Sequence, residues 1–202
     1  AQRLRSYRYE QGALELETIQ VKAKFEGDAV TGLVAEGGNR AKEIIEDFMI
    51  AANGVTARYL AAKNFPSIRR VVRTPKRWDR IVELARERKF RLPNSPDSEA
   101  LDVFLVREKA ADPLRFPDLS LAVIKLLGAG EYIAELPGDA SAGHFGLAVK
   151  DYAHSTAPNR RYTDLITQRL VKAAIAGRAA PYNYAELDEL AKHLTSQEDA
   201  AN

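Results

Sequence analysis

The chain has 202 residues, 46% of them apolar and 29% charged, with a net charge of +2, twelve Gly, nine Pro and no Cys. This composition excludes collagenous and low-complexity chains, a disulfide framework, a thiol nucleophile and cysteine-held metals, and no apolar run approaches the roughly 18 residues of a membrane span. The sequence starts at Ala1 and its one Met is Met49, so a piece of a longer polypeptide is expected, and with no basic leader before an apolar stretch a cytoplasmic protein is expected.

In chain order, alternating side chains from Leu14 to Val34 around Glu26, Gly27 and Asp28 predict a β-hairpin. Gly37 and Gly38 then break the chain and Asn39 is a good N-cap. Ile44, Ile45, Phe48, Met49, Ala52, Val55, Tyr59 and Leu60 recur at helical spacing and predict a long helix with this apolar stripe. Pro66 and Pro75 bracket what reads as an irregular basic connection. Trp78, Ile81, Val82, Leu84 and Ala85 predict a second helix that ends by Pro93, and Ser98 to Lys109 a third. Leu119 to Leu127 suits a short helix closed by Gly128 and Gly130, and Tyr132 to Leu136 suits a strand. His144 to Val149 predicts a buried strand with Phe145, Leu147 and Val149 on one side. Thr156, Ala157 and Pro158 open a helix whose stripe is Tyr162, Leu165, Ile166, Leu170, Ala173 and Ala174, ended by Gly177. A polar helix follows from Asn183. No internal repeat interrupts this order, and the whole predicts an α+β fold, a mixed sheet flanked by several helices.

Charge is unevenly spread. Between Arg58 and Arg91 stand twelve basic residues (Arg58, Lys63, Arg69, Arg70, Arg73, Lys76, Arg77, Arg80, Arg86, Arg88, Lys89, Arg91) against three acidic ones. Such a block is either a footprint for a polyanion or an ordinary solvated helix face. Arg160 and Arg161 fall in the predicted first turn of a helix, where positive charge is misplaced by a few tenths to about 1 kcal/mol each. With free backbone N–H groups and the hydroxyls of Ser155 and Thr156 they predict a phosphate site; the alternative is simple pairing of Arg160 with Asp164. Glu46 lies on the edge of the apolar stripe shared with Asn53, Asp47 on the opposite edge. Glu46 is therefore the odder acid, with the Arg160 and Arg161 pair as its expected partner or else no role beyond a surface Glu. His144, Tyr152 and His154 share a side if the segment is extended, and structural histidines are expected there rather than metal ligands. No phosphate-binding loop, nucleophile elbow or Asp cluster is present, so the chain holds no complete catalytic centre.

The residues His144-Phe-Gly-Leu-Ala148, Tyr152-Ala-His154, Thr156-Ala-Pro-Asn-Arg-Arg-Tyr-Thr-Asp-Leu-Ile166 and Arg169 resemble the signature of the ribonuclease II and ribonuclease R exoribonucleases, the RNB catalytic domain. Ile45-Glu-Asp-Phe-Met-Ile-Ala-Ala-Asn53 is similar to a second block of that family and Arg8 to Leu16 to a third, all in the family order. The resemblance implies hydrolysis of single-stranded RNA from the 3′ end to nucleoside 5′-monophosphates, assisted by magnesium whose aspartate ligands lie upstream of Ala1. It makes residues 1–202 a partial RNB-type domain, with an oligonucleotide-binding barrel expected beyond it and the rest of the same polypeptide, monomeric as a whole, as its protein partner. It implies that Arg160 contacts the scissile phosphate region with Arg161 beside it, that Glu46 lines the RNA end site, and that Tyr152 and His154 flank the active-site strand. Arg70, Arg73 and Arg77 of the basic block join them as RNA-binding candidates. Members usually carry Phe, Ser and Ile where this chain has Ser155, Ala157 and Asn159, and His where it has Gln168, departures that bear on specificity more than on fold. Two other functions fit the pattern: an RNA-binding or assembly module without the chemistry, and a helical interaction domain without nucleic acid.

Overall fold

The computed structural model of the chain describes residues 1–36 and 38–201, so the expected break at Gly37 lies outside the described residues. The elements are α1 (Gln2–Glu10), β1 (Gln20–Glu26), β2 (Ala29–Glu36), α2 (Arg40–Ala62), β3 (Ser67–Val71), α3 (Trp78–Glu87), α4 (Ser98–Ala111), α5 (Phe116–Leu127), β4 (Glu131–Glu135), α6 (Tyr162–Ile175) and α7 (Tyr184–Ala201). The fold is α+β, and among the described residues its strands form two antiparallel pairs, β1 with β2 and β3 with β4. None of the described helices is long and apolar enough to cross a membrane.

The hairpin forms around Gly27 and Asp28 as expected, but its first arm begins at Gln20. Leu14 and Leu16 instead run as coil against a core built by Trp78, Ile81 and Ala85 of α3, Leu101, Phe104 and Leu105 of α4, and Phe116, Leu119 and Val123 of α5. A second core joins Leu60 of α2, Ile68 of β3, Tyr132 of β4, Ile166 and Leu170 of α6, and Leu187 and Ala191 of α7.

Four expectations are corrected. The segment after Pro66 is not irregular but strand β3, paired from Ser67 with Glu135 to Val71 with Glu131. Helix α2 starts as predicted, with the Asn39 side chain accepting from the N–H of Lys42 at 3.0 Å. Its buried face, however, is Asp47, Ile50, Asn53, Gly54, Ala57 and Leu60, while Ile45, Phe48 and Val55 are exposed. Residues 144–149 are not a strand: Phe145–Leu147 is a single 3-10 turn, and the N–H of His144 donates to the carbonyl of Val149 at 2.7 Å. Gly143, at φ +68 with a virtual Cβ only 2.9 Å from the Val149 carbonyl, permits this tight closure. Finally α6 begins at Tyr162, six residues later than Thr156, so Arg160 and Arg161 precede the helix.

Buried charge holds the elements together. Asp47, on α2, accepts from Arg8 Nη2 at 2.8 Å and from Arg5 Nε at 3.2 Å, which docks α1 on α2. Across β3 and β4 the side chains of Arg69 and Glu135, 2% and 6% exposed, lie 3.4 Å apart. Burial depresses the Arg69 guanidinium and raises the Glu135 carboxyl, each opposed by the charge of the other. Two ions withdrawn from water in this way tolerate joint replacement better than loss of one partner. Glu135→Leu alone is expected to cost about 3–5 kcal/mol in urea unfolding, and Arg69→Met added to it to recover much of that; additive losses would show that the two charges are not coupled.

Candidate functional site

The segment that carries the paired arginines is fixed from α2. Asn53, fully buried, places one side-chain oxygen between the backbone N–H and the hydroxyl of Ser155, at 2.9 and 2.8 Å. Its amide nitrogen donates to the Tyr152 hydroxyl at 3.2 Å. From the other side Gln168 of α6 donates to the carbonyl of Ser155 at 2.7 Å. The N–H of Arg70 donates to the carbonyl of Tyr152 at 2.9 Å and ties the same segment to β3.

Beyond Ser155 the chain turns. The carboxylate of Asp164, fully buried in the first turn of α6, accepts from the N–H of Ala157 at 2.8 Å and holds the Arg161 guanidinium at 2.8 Å from each oxygen. The N–H groups of Arg160 and Arg161 donate to the carbonyl of Ala157. The turn thus leaves Arg160 exposed at its tip, with no side-chain hydrogen bond or ion pair among the described residues. Asp164 takes Arg161, not Arg160. The two arginines are therefore chemically distinct: one is neutralised in place, the other projects an unpaired guanidinium.

Below this loop lies a ladder of rings. His144 and Tyr152 stand 5.6 Å apart between centroids, Tyr152 and His154 5.7 Å, and His154 and Tyr132 5.7 Å, all edge to face. The Tyr132 hydroxyl is 3.0 Å from His154 Nδ1, and the Arg70 guanidinium sits over the Tyr132 ring at 4.7 Å. Burial, with the positive charge of Arg70, holds His144 down at about 4, and burial with Arg161 holds His154 down at about 3. Both are neutral near pH 7. Burial also raises the Tyr152 phenol. Tyr152 is buried and His154 half-buried, and both stack within the ladder that supports the loop.

The other candidates are scattered. Glu46 is exposed on α2 and pairs with neither Arg160 nor Arg161; Asp47 beside it is the buried acid, because Arg5 and Arg8 reach it. Of the basic trio, Arg70 pairs with Glu198 of α7 and Arg73 with Glu131 of β4, and Arg77 donates to the carbonyl of Lys125 at 2.6 Å. Asn53, Gln168 and Asp164 are the residues that sequence reasoning did not assign to the site. In the sequence Asp164 stood only as a possible partner of Arg160, Gln168 as a departure from the family pattern and Asn53 as a polar side chain on the helix stripe. Among the described residues no group of three or more His, Asp or Glu could hold a metal ion, and Asp47 and Asp164 are already occupied by arginines.

The family model described as "RNB domain" matches residues 1–177. A relative named Ribonuclease R 1, from Lactococcus lactis subsp. lactis, is 28% identical over 212 residues, covering 98% of this chain and 25% of the relative. The chain spans between a fifth and about a quarter of the length of such relatives. Among solved structures, Mycoplasma genitalium RNase R in complex with double-stranded RNA superposes with a TM-score of 0.79 at 20% identity, over 97% of this chain and 36% of that one. Yeast Ssd1, described as a pseudonuclease, superposes with a TM-score of 0.67 at 20% identity, over 78% of this chain and 20% of that one.

The ladder has a consequence for stability. With both histidines below their ordinary 6.5, the unfolded chain binds protons that the folded one refuses, so stability is full above about pH 6.5 and is lost as the pH falls toward about 4 and about 3. By pH 4.5 the loss amounts to about 2–3 kcal/mol for each histidine. Urea unfolding of His154→Gln is expected to show a fall between pH 7 and pH 4.5 smaller by about 2 kcal/mol than the parent's; parallel curves would mean that His154 titrates normally.

Proposed function

Because the chain belongs to the RNB-domain family, we propose that it supplies the phosphate-holding part of a 3′-to-5′ exoribonuclease that hydrolyses single-stranded RNA to nucleoside 5′-monophosphates. The observation that carries this is Arg160: an exposed guanidinium with no partner among the described residues, at the tip of a loop fastened by Asn53, Gln168 and Asp164. A guanidinium binds phosphate oxygens through paired N–H donors and stabilises the negative charge that grows on phosphorus-bound oxygen during displacement. The backbone that carries Arg160 is fixed in advance, so only its side chain has to settle on the phosphate. Arg161 shapes the loop through Asp164, Asn53 sets its height, and Arg160 meets the RNA.

The magnesium that the resemblance implies does not fit the described residues of this chain, whose buried carboxylates are already neutralised by arginine. The exposed Ile45 and Phe48 on α2, and Val21, Phe25, Val30 and Leu33 on the hairpin, support a larger body in which these surfaces are covered. The rival is an RNA-binding module without chemistry, the reading suggested by the likeness to yeast Ssd1, described as a pseudonuclease.

The test is digestion of a 5′-labelled single-stranded RNA by the whole protein, resolved to single nucleotides. A ladder shortened from the 3′ end is expected, with Arg160→Ala lowering turnover by about 10²–10³ at unchanged thermal stability. Binding without cleavage by the parent would select the module, and near-normal turnover of Arg160→Ala would remove its assigned role. Asn53→Ala is expected to lower turnover too, but not further in an Arg160→Ala background, since it acts through the loop.

A further inference from the structure

The basic block from Arg58 to Arg91 is partly neutralised by the fold. Arg69, Arg70, Arg73, Arg80 and Arg88 pair with Glu135, Glu198, Glu131, Glu83 and Glu108, Arg77 donates to a backbone carbonyl, and Lys63 sits over the Tyr59 ring. Among the described residues, Arg58, Lys76, Arg86, Lys89 and Arg91 make no side-chain hydrogen bond or ion pair. Four of these five converge on one place. A cavity of about 460 Å³ beside α3 is lined by Val82, Arg86, Lys89, Phe90, Arg91, Leu92 and Asn94. A second, of about 530 Å³, continues it past Val82, Arg86 and Asn94 to Lys76, Trp78, Asp79 and Glu83. The result is a cationic groove along α3 in which the half-buried Val82 and Phe90 form a small apolar patch. Of its two carboxylates, Glu83 is held by Arg80 at 3.1 Å and Asp79 lies in the first turn of α3, where the helix N-terminus stabilises it.

Resting on the RNA function proposed above, we infer that the α3 groove is a second docking surface for the same single-stranded RNA, one that holds phosphates away from the arginine loop. The groove belongs to the α3–α4–α5 core, whereas the loop belongs to the core of α2, α6 and α7. The groove and the loop share no residue, so a strand that contacts both has to extend beyond the loop. The chemistry is that of sequence-independent binding: Lys76, Arg86, Lys89 and Arg91 neutralise phosphates, while the half-buried Val82 and Phe90 give the sugars a small apolar contact, the Phe90 ring itself carrying the Arg107 guanidinium at 4.9 Å and Leu92 lying buried in the core. The assignment moves the polyanion footprint from Arg70, Arg73 and Arg77, already engaged within the protein, to the unpaired cations that line the groove along α3.

The measurement is binding of the whole protein to single-stranded RNAs of 5 and 25 nucleotides across a salt series. For Arg86→Gln, Lys89→Gln and Arg91→Gln combined, all at exposed positions, the 25-nucleotide affinity is expected to fall at least about tenfold at 0.1 M salt and its log–log salt slope by about 2, from roughly 0.7 per lost phosphate contact. The 5-nucleotide affinity, set at the arginine loop, stays as in the parent, while Arg160→Ala weakens both lengths. A parent-like slope for the triple variant with the 25-mer overturns the inference and leaves the RNA function standing. A parent that binds neither RNA overturns both. Polyglutamate that displaces the 25-mer as well as unlabelled RNA of equal charge assigns the groove to an acidic protein instead.

Discussion

Asn53, in the middle of α2, takes the N–H and the hydroxyl of Ser155 on a single oxygen and gives its own N–H to Tyr152. This buried amide fixes the height at which the chain leaves the ring ladder and enters the arginine loop. An amide left without partners in such a place costs roughly 2–7 kcal/mol, so a slip of one residue between 152 and 155 is heavily penalised. Gln168 closes the same clamp from α6 by donating to the carbonyl of Ser155. Three hydrogen-bonding groups of one residue are thereby committed to two helices, and the loop inherits their rigidity.

Two buried aspartates repeat the logic with charge. Asp47 would be expensive to bury alone, but Arg5 and Arg8 reach it from α1, and the helix pair is fastened in the process. Asp164 likewise uses Arg161 and the N–H of Ala157 to fold the residues before α6 into a turn. In each case the arginine is consumed by the fold. What distinguishes Arg160 from its neighbour is therefore not its chemistry but the lack of an acid opposite it, a property of the turn.

Much of the architecture was legible in local pattern. The Asn39 cap, the Gly27 and Asp28 turn, α3, α4, α5, β4 and α7 follow from spacing and punctuation, and each forms largely where its residues predict. The failures share one cause, which is that a distant partner outweighs local pattern. β3 was hidden because Arg69 and Arg70 interrupt its apolar alternation, and both are acceptable in a strand only because Glu135 and Glu198 meet them. The buried face of α2 was misplaced because Asp47 and Asn53 look solvent-directed until Arg5, Arg8 and Ser155 arrive from elsewhere in the chain. The start of α6 was set too early because Pro158 is an acceptable first residue of a helix, yet Asp164 draws the N–H of Ala157 into a turn instead. The arginine pair itself was visible as an electrostatic oddity; its division into an anchor and a free group was not.

The same principle explains the fate of the basic block. Density of cations along a sequence says only that charge is present; what stands opposite decides whether it remains available. On β3 and just past it, Arg69, Arg70 and Arg73 face elements rich in glutamate, β4 and α7, and are paired. Around the outer side of α3 and the residues that follow it, no described acidic side chain pairs with Lys76, Arg86, Lys89 or Arg91. Unpaired surface cations gain little from the fold and repel one another, so a cluster of four along one groove is a small cost that structure alone does not offset. An anionic strand laid along the groove between them removes that cost, which is the physical sense in which the groove is complementary to RNA.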